Sequence, residues 1–235
     1  MLERPSPNHN DRRGRPIDLI VLHYTGMLSA EEALARLTDP AAEVSTHYLI
    51  EEDGRLWRLV PDRRRAWHAG RAYWAGETDV NARSIGIELV NPGHDWGYRS
   101  FPRPQIARLC RLLRHLLARY QIPPHRVIGH SDVAPLRKKD PGELFPWWEL
   151  AVQGLAVHPG LVAPLRLDRL SWEEVRGWLE KIGYGYLEED PRAVLTAVQR
   201  RSRPRLIDGR LDGTTAILIA NLASIAPETG PTTTP

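Results

Sequence analysis

The chain has 235 residues, of which 42% are hydrophobic, and this is enough for the core of one larger domain and one small domain. No window approaches the roughly 18 apolar residues that a membrane-spanning helix needs. The net charge of +3, with a pI of 9.2, favours an anionic substrate. The basic residues form no stripe and no known motif, so we expect no nucleic-acid partner.

Cysteine usage and the amino terminus bear on the cellular compartment. Cys110 is the only cysteine in the sequence, which excludes an internal disulfide framework. The first residues, MLERPSPNHNDRRGRPID, are basic but lack the apolar segment of a secretory signal. We therefore expect a cytoplasmic protein, with a periplasmic location as the alternative if a leader is missing from this chain.

Apolar periodicity and turn residues predict mixed strands and helices up to about residue 150. In chain order, the pattern first predicts an extended surface arm over 1–16, a buried strand over 17–22 and a helix between Ser29 and Pro40. A hairpin of strands 46–50 and 55–60 around Asp53-Gly54 follows, and then a Trp-rich connection over 61–83. The last predicted elements are a strand over 84–90, an amphipathic helix over 105–120 and a short strand at 127–128. The near-continuous apolar run at 17–22 indicates a central strand covered on both faces. Long connections such as 61–83 are commonly functional.

The segment Gly129–Gly142, GHSDVAPLRKKDPG, concentrates polar side chains between prolines and glycines, which exclude a continuous helix. His130 and Asp140 in this loop are both normal zinc donors, and a catalytic zinc site needs three protein ligands. His23, at the end of the apolar run, is the third candidate. Each has an alternative reading, because a histidine after an apolar run is commonly a core residue and Asp-Pro-Gly commonly forms only a turn.

Five motifs in order carry a family resemblance: IVLHYT, STHYLI, AWHAG, SIGIEL and GHSDVAPLRKKDPG. Over about residues 17–150 the chain resembles the zinc-dependent N-acetylmuramoyl-L-alanine amidases, which share their fold with amidase-type phage lysozymes and peptidoglycan recognition proteins. The resemblance implies an α/β fold with a mixed central sheet flanked by helices. It also implies Zn²⁺ on His23, His130 and Asp140, with Glu88 and Lys138 as the catalytic residues.

Further residues are candidates for substrate contact, and each has a structural alternative. The candidates are Trp67, His68, Asn81, Arg137 and His47. Arg137 could grip a carboxylate or lie on a solvated loop face, and the tryptophan could stack on a sugar or belong to the core. His47 is either a group near the metal or a core histidine. Some relatives use a catalytic tyrosine where this chain has Thr46, so Glu88 is expected to carry the proton transfer.

The remaining sequence predicts a second, smaller domain. Residues 1–150 form the catalytic domain, 151–167 a linker, 168–225 a three-helix domain and 226–235 a disordered tail. The pieces IGYG, AVQRRSRP and DGRLDGTTAIL resemble the peptidoglycan-binding module that is often fused to such amidases. The aromatic residues usual around the position of Ser202 are missing, which makes glycan binding by this module an open question. We expect truncation near Pro164 to spare activity on small soluble substrates.

These features predict hydrolysis of the amide between N-acetylmuramic acid and L-alanine, in peptidoglycan or in anhydro-muropeptides released during cell-wall turnover. A cytoplasmic enzyme would meet only the soluble fragments. The alternative is a non-catalytic peptidoglycan-binding protein of the same fold, although such relatives typically lose metal ligands. The sequence leaves open the choice between sacculus and fragment, the stem-peptide preference and the oligomeric state.

Overall fold

The computed structural model describes residues 1–161 and 171–226 of the chain. Its strands are β1 Leu2–Glu3, β2 His9–Asp11, β3 Leu19–Tyr24, β4 Tyr48–Ile50, β5 Leu56–Arg58, β6 Arg64–Ala66, β7 Ser84–Leu89 and β8 Val127–Gly129. Its α-helices are α1 Ala30–Thr38, α2 Val80–Arg83, α3 Arg103–Tyr120, α4 His130–Val133, α5 Trp147–Val152, α6 Trp172–Ile182, α7 Pro191–Ser202 and α8 Gly213–Ile225. Short 3-10 helices lie at Pro40–Ala42, Pro124–Arg126 and Pro159–Leu161.

A six-stranded mixed sheet, in the order β1-β5-β4-β7-β3-β8, forms the centre of the molecule. The strand β3 runs parallel to both of its neighbours, β7 and β8. The only antiparallel pair in this sheet, within the part of the chain that the structure describes, is the predicted hairpin of β4 and β5. The predicted mixed α/β fold is therefore confirmed. Because the carboxyl ends of parallel strands meet at one edge, this arrangement brings the ends of β3, β7 and β8 together.

Helix α3 covers one face of the sheet, as its apolar periodicity predicted. Ile20 and Leu22 of β3 and the alternate residues of β7 share a hydrophobic cluster with Leu109 and Leu113 of α3. These side chains are fully buried. The alternation of β3 sends its other side chains, including Leu19, Val21 and His23, to the opposite face.

The opposite face is covered by the three C-terminal helices. Leu19 and Val21 of β3 belong to one hydrophobic cluster with Val175 of α6, Val198 of α7 and Ile219 of α8. The predicted N-cap is present at α6, where the Ser171 hydroxyl accepts a hydrogen bond from the Glu174 amide at 3.2 Å. The three helices thus continue the core of the sheet. The domain boundary at residue 168 stays a prediction, and residues 162–167 of the predicted linker and 227–235 of the predicted tail lie outside the described residues.

Two sequence-based expectations about loops need correction. The first sixteen residues are not simply a surface arm, because β1 pairs with β5, β2 pairs with β6, and the side chain of Arg12 is buried. The long connection before β7 is also partly regular, since it contains β6 and α2. Both corrections have one cause: strands of two or three residues and a helix of four carry too little periodicity to be recognised from sequence.

Among the described residues, no helix is both long and apolar enough to cross a membrane. This agrees with the hydropathy of the sequence.

Candidate active site

A groove with a volume of about 380 Å³ opens at the carboxyl ends of β3, β7 and β8. His23 lies near the end of β3, and its Cα is in register with that of Glu88 on β7. His130 directly follows β8 and begins α4. The groove is lined by all three predicted metal ligands, both predicted catalytic residues and three of the predicted substrate contacts: His23, His130, Asp140, Glu88, Lys138, Trp67, His68 and Arg137. Residues separated by more than a hundred positions therefore share one cavity.

Three potential ligand atoms converge inside this groove. His23 Nδ1 lies 3.0 Å from His130 Nδ1 and 3.1 Å from Asp140 Oδ2. His130 Nδ1 lies 3.0 Å from the same carboxylate oxygen. All three residues are buried, at 2–5% exposure. Within the described residues this is the one group of three or more His, Cys, Asp or Glu side chains arranged to hold a metal ion.

The hydrogen bonds on the far sides of the two imidazoles fix their tautomers. His130 Nε2 lies 3.1 Å from the carbonyl oxygen of Ala69, which can only accept. His130 Nε2 must therefore carry the hydrogen, and Nδ1 keeps its lone pair. This is the arrangement in which a backbone carbonyl orients a metal-ligating histidine.

A longer chain of contacts fixes the tautomer of His23. The Ser84 hydroxyl donates its hydrogen to the Val80 carbonyl at 2.6 Å, so its oxygen accepts from His68 Nε2 at 3.1 Å. His68 Nδ1 is then the acceptor and takes the Nε2 hydrogen of His23 at 3.0 Å. The lone pair of His23 is left on Nδ1, which faces the other two ligand atoms.

A glycine in β7 makes room for this chain. A Cβ atom at Gly86 would lie only 2.5 Å from the His68 ring. Position 86 is therefore restricted to glycine because the His68 ring lies too close for a Cβ atom, and not because of its backbone conformation. The fold thus explains the glycine of the motif SIGIEL.

The electrostatics of the three atoms suit a cation. Burial lowers the pKa of His23 to about 4, so the ring is neutral at pH 7. Two imidazole lone pairs and one carboxylate at mutual distances of about 3 Å repel each other unless a cation lies between them. The donor set therefore fits a divalent metal ion.

Glu88 differs from Asp140 in its surroundings. Its Oε2 atom is sealed from solvent and has no hydrogen-bond partner among the described residues. Burial, with a smaller contribution from the charge of Asp140, raises the pKa of Glu88 to about 8. A carboxyl group in this state can exchange a proton near neutral pH, which is what a general acid or base requires.

The cations of the loop are arranged unequally. Lys138 lines the groove and is partly buried. The Arg137 guanidinium also borders the groove but donates to the carbonyl oxygens of Ala69 and Arg71, and its Nε lies 3.0 Å from the latter. Arg137 therefore ties its loop to the 69–71 segment, and only part of its hydrogen-bonding capacity remains for a ligand.

The other predicted substrate contacts separate into two groups. Trp67 and His68 line the groove, whereas Asn81 and His47 do not. The Asn81 side-chain oxygen accepts from the amides of His68 and Ala69 at 3.0 and 2.8 Å, so it shapes the loop behind the groove. His47 is fully buried, and its Nδ1 accepts from the Gly86 amide at 3.0 Å. The geometry gives both residues a structural role, so we do not propose them as substrate contacts.

Sequence reasoning missed several residues that support the site. Arg12 from the N-terminal segment donates to the carbonyl oxygens of Asp62 and Ala82 at 2.8 Å and of Ser84 at 2.9 Å. Asp132 of α4 pairs with Arg201 of α7 at 3.0 Å. Neither arginine belongs to a motif near the site, so no local signal in the sequence could have identified them. In the sequence, Asp132 is only one of several polar residues in the loop GHSDVAP.

The fold, the convergent His-His-Asp group that could hold a metal ion and the buried Glu88 in the same groove fit the class of metal-dependent hydrolases. The sequence pattern of the N-acetylmuramoyl-L-alanine amidase family matches residues 13–143, and the chain belongs to this family. It is 37% identical to the N-acetylmuramoyl-L-alanine amidase AmiD of Escherichia coli K12 over 225 residues, which cover 85% of this chain and 79% of AmiD. It is 32% identical to the 1,6-anhydro-N-acetylmuramyl-L-alanine amidase AmpD of Haemophilus influenzae, over 59% of this chain and 84% of AmpD.

Solved structures show the same similarity in three dimensions. E. coli AmiD in complex with the substrate anhydro-N-acetylmuramic acid-L-Ala-D-γ-Glu-L-Lys superposes with a TM-score of 0.78 at 34% identity, covering 94% of this chain and 93% of AmiD. AmpDh3 of Pseudomonas aeruginosa, in complex with anhydromuramic pentapeptide, gives a TM-score of 0.78 at 30% identity, covering 95% and 96% of the two chains. Because these matches extend well beyond residue 150, they include the C-terminal helices.

Proposed function

We propose that this amidase is zinc-dependent and hydrolyses the bond between the lactyl group of anhydro-N-acetylmuramic acid and L-alanine in soluble muropeptides. The observation that carries the zinc assignment is the convergence of two imidazole lone pairs and one carboxylate oxygen, since this mixed nitrogen and oxygen set is typical of catalytic zinc. The substrate assignment is supported by the relatives, because AmpD is named for the 1,6-anhydro sugar and AmiD was crystallised with an anhydro-muropeptide.

The chain's own residues would divide the chemistry between them. His23, His130 and Asp140 would hold the zinc ion, which would supply a Lewis acid and a bound water acidic enough to react near pH 7. Glu88 takes the proton of the attacking water and returns it to the departing amine of L-alanine, a role that suits its raised pKa. The Lys138 ammonium stabilises the negative charge that develops on the carbonyl oxygen.

The charge of the groove suits an anionic peptide. Lys138, Lys139 and Arg36 border it together with Arg137, and the acidic lining residues are Asp95, Asp140 and Glu88. A muropeptide carries carboxylates on its stem peptide, so a groove with more basic than acidic residues favours its approach. Trp67 lies in the same groove and could stack on the sugar ring.

The direct test is digestion of a defined substrate. The purified chain is incubated with an anhydro-muropeptide and, separately, with intact sacculi, and the products are identified by mass spectrometry. We expect release of the free stem peptide and the intact anhydro sugar, loss of this activity with a chelator, and recovery with Zn²⁺. Binding without release would instead support the non-catalytic alternative. A kcat/KM on sacculi equal to or above that on fragments would overturn the substrate assignment and leave the amidase assignment intact.

A cytoplasmic location is part of this proposal, because soluble anhydro-muropeptides can be met there. It is supported by the presence of one cysteine in the sequence, which suits a reducing compartment. Fractionation of cells that express the native gene tests it, and recovery of the protein in the periplasm would replace it with the alternative location.

A further inference from the structure

The metal-binding loop is held from outside by a helix that sequence analysis assigned to a different domain. Asp132 lies two residues after His130, in the single turn of α4, and is 1% exposed. Its Oδ2 accepts from the Gly129 amide at 2.8 Å, and its Oδ1 accepts from the Tyr184 hydroxyl at 2.7 Å. The carboxylate therefore fixes the turn that presents His130.

The counterion of Asp132 comes from the last turn of α7. Arg201 Nη1 donates to Asp132 Oδ2 at 3.0 Å, and both side chains are at most 5% exposed. Arg201 Nη2 points to the carbonyl oxygens of Val127 and Val157 at 3.3 Å, and the guanidinium lies 4.2 Å from the centre of the Trp147 ring. A buried charge without its partner is strongly unfavourable, so the position of one group determines that of the other.

The second aspartate of the loop is coupled to the same turn. The amide of Ser131, between His130 and Asp132, donates to the backbone carbonyl of Asp140 at 2.9 Å. Residues 129–132 thus position both proposed ligands, because His130 belongs to this turn and Asp140 is joined to it by the Ser131 hydrogen bond. The neighbouring Arg200 reaches Glu143, three residues beyond Asp140, at 3.3 Å.

We infer that Arg201 is a positioning residue for the metal site, which it reaches through Asp132. The C-terminal helices would then complete the catalytic site and not serve only as an attached wall-binding module. The inference rests on the proposed metal site. If the C-terminal helices were a separable domain, a substitution in α7 would leave metal binding unchanged. The inference predicts the opposite, namely that substitution of Arg201 weakens metal binding while the protein stays folded.

The test uses the full chain with two matched substitutions. Arg201→Met removes the contact to Asp132, whereas Arg203→Met removes an ion pair of the same helix end with Asp212, for which the described residues show no hydrogen bond to residues 129–142. Zinc affinity is measured by competition with a chelator, well below the melting temperature of each variant. We expect Arg201→Met to bind zinc about 10- to 100-fold more weakly, as for other residues that orient metal ligands, and Arg203→Met to remain within about twofold of wild type.

A conservative variant and a double substitution complete the design. Arg201→Lys keeps a cation for Asp132 but not the planar fork, so its zinc affinity should fall between wild type and Arg201→Met. Adding Asp132→Asn to Arg201→Met should cost less than the sum of the two single effects. Wild-type zinc affinity in folded Arg201→Met and Arg201→Lys would overturn the inference, and so would loss of folding in both. Absence of zinc binding by the wild-type chain would instead overturn the proposed metal site.

Discussion

The two sides of the active site are held by different kinds of contact. On the strand side, His23 and Glu88 lie on adjacent parallel strands whose backbone ladder fixes their register. On the loop side, His130 and Asp140 belong to residues 129–142, where only the first residue is part of a strand. A ladder orders its side chains without help, whereas a loop needs side-chain contacts from other parts of the chain. The comparison explains why the buried ion pair from α7 is found on the loop side.

The two histidines of the proposed metal site repeat this difference in their orienting contacts. His23 donates to another side chain, His68, which in turn depends on Ser84. His130 donates to a backbone carbonyl. A side-chain partner can be removed by substitution, but a backbone carbonyl cannot. On the strand side, therefore, a single mutation can remove the direct hydrogen-bond acceptor of a histidine ring.

The largest expected effect concerns the strand side, which should carry the proton transfer. Glu88→Ala removes the proposed acid and base, so we expect kcat to fall by about 10²–10⁴-fold while the protein keeps one zinc per chain. Kinetics on an anhydro-muropeptide and metal analysis measure the two quantities. Glu52→Ala, at a partly exposed residue paired with Arg99, is the control and should behave as wild type. Turnover of Glu88→Ala close to that of wild type would remove Glu88 from the mechanism.

The second prediction tests whether the loop side also contributes to catalysis. Lys138→Ala should lower kcat by about 10²–10³-fold, because a cation aimed at the developing oxyanion acts mainly in the transition state. Lys139→Ala, at an exposed neighbour, should have a much smaller effect. If Lys138→Ala changes KM alone, Lys138 binds substrate and the loop side has no catalytic cation.

What the sequence could predict follows the same division. The apolar run before His23, the glutamate inside SIGIEL and the capping boxes are local patterns, and they gave the central strands, Glu88 and the starts of two helices. The His-His-Asp group could be predicted because GHSDVAPLRKKDPG resembles a family motif. Arg12 and Arg201 could not, since a buried arginine has no local pattern and the partners of these two are 35 or more residues away. For the same reason His68 was predicted as a substrate contact, while its hydrogen bonds to His23 and Ser84 emerge only from the fold.

The third prediction concerns His68 on the strand side. His68→Ala leaves the Nε2 hydrogen of His23 without its acceptor, so His23 can turn or adopt the other tautomer. We expect zinc to bind about 10–100-fold more weakly. Nitrogen chemical shifts of His23 in the metal-free protein report the tautomer independently of activity. His68→Gln, which retains an acceptor oxygen, should recover part of the affinity. Unchanged zinc binding and an unchanged tautomer in His68→Ala would show that the ladder alone orients His23.

The smallest expected effect concerns an ion pair at the end of the loop side. The Glu143 carboxylate lies 3.1 Å from His94 Nε2 and 3.3 Å from Arg200 Nε, with the Tyr98 hydroxyl nearby. The hydrogen bond with His94 comes first among the causes that lower the pKa of Glu143 to about 2, and the charges of His94 and Arg200 add to it. Its unfolded pKa is about 4.3, so the folded state prefers the ionised form.

Because the folded pKa is the lower one, the stabilisation from Glu143 is fully present above about pH 5 and is lost as the pH falls from about 4.3 to 2. With its side chain 26% exposed, solvent screening reduces the contribution to roughly 1–2 kcal/mol. We therefore expect Glu143→Gln to be less stable than wild type by this amount at pH 7, and the difference to shrink towards zero near pH 2. Urea unfolding at several pH values measures it. A constant difference across this range would mean that Glu143 stabilises the loop by packing and not by its charge, and that the ionic support of the loop side is confined to Asp132 and Arg201.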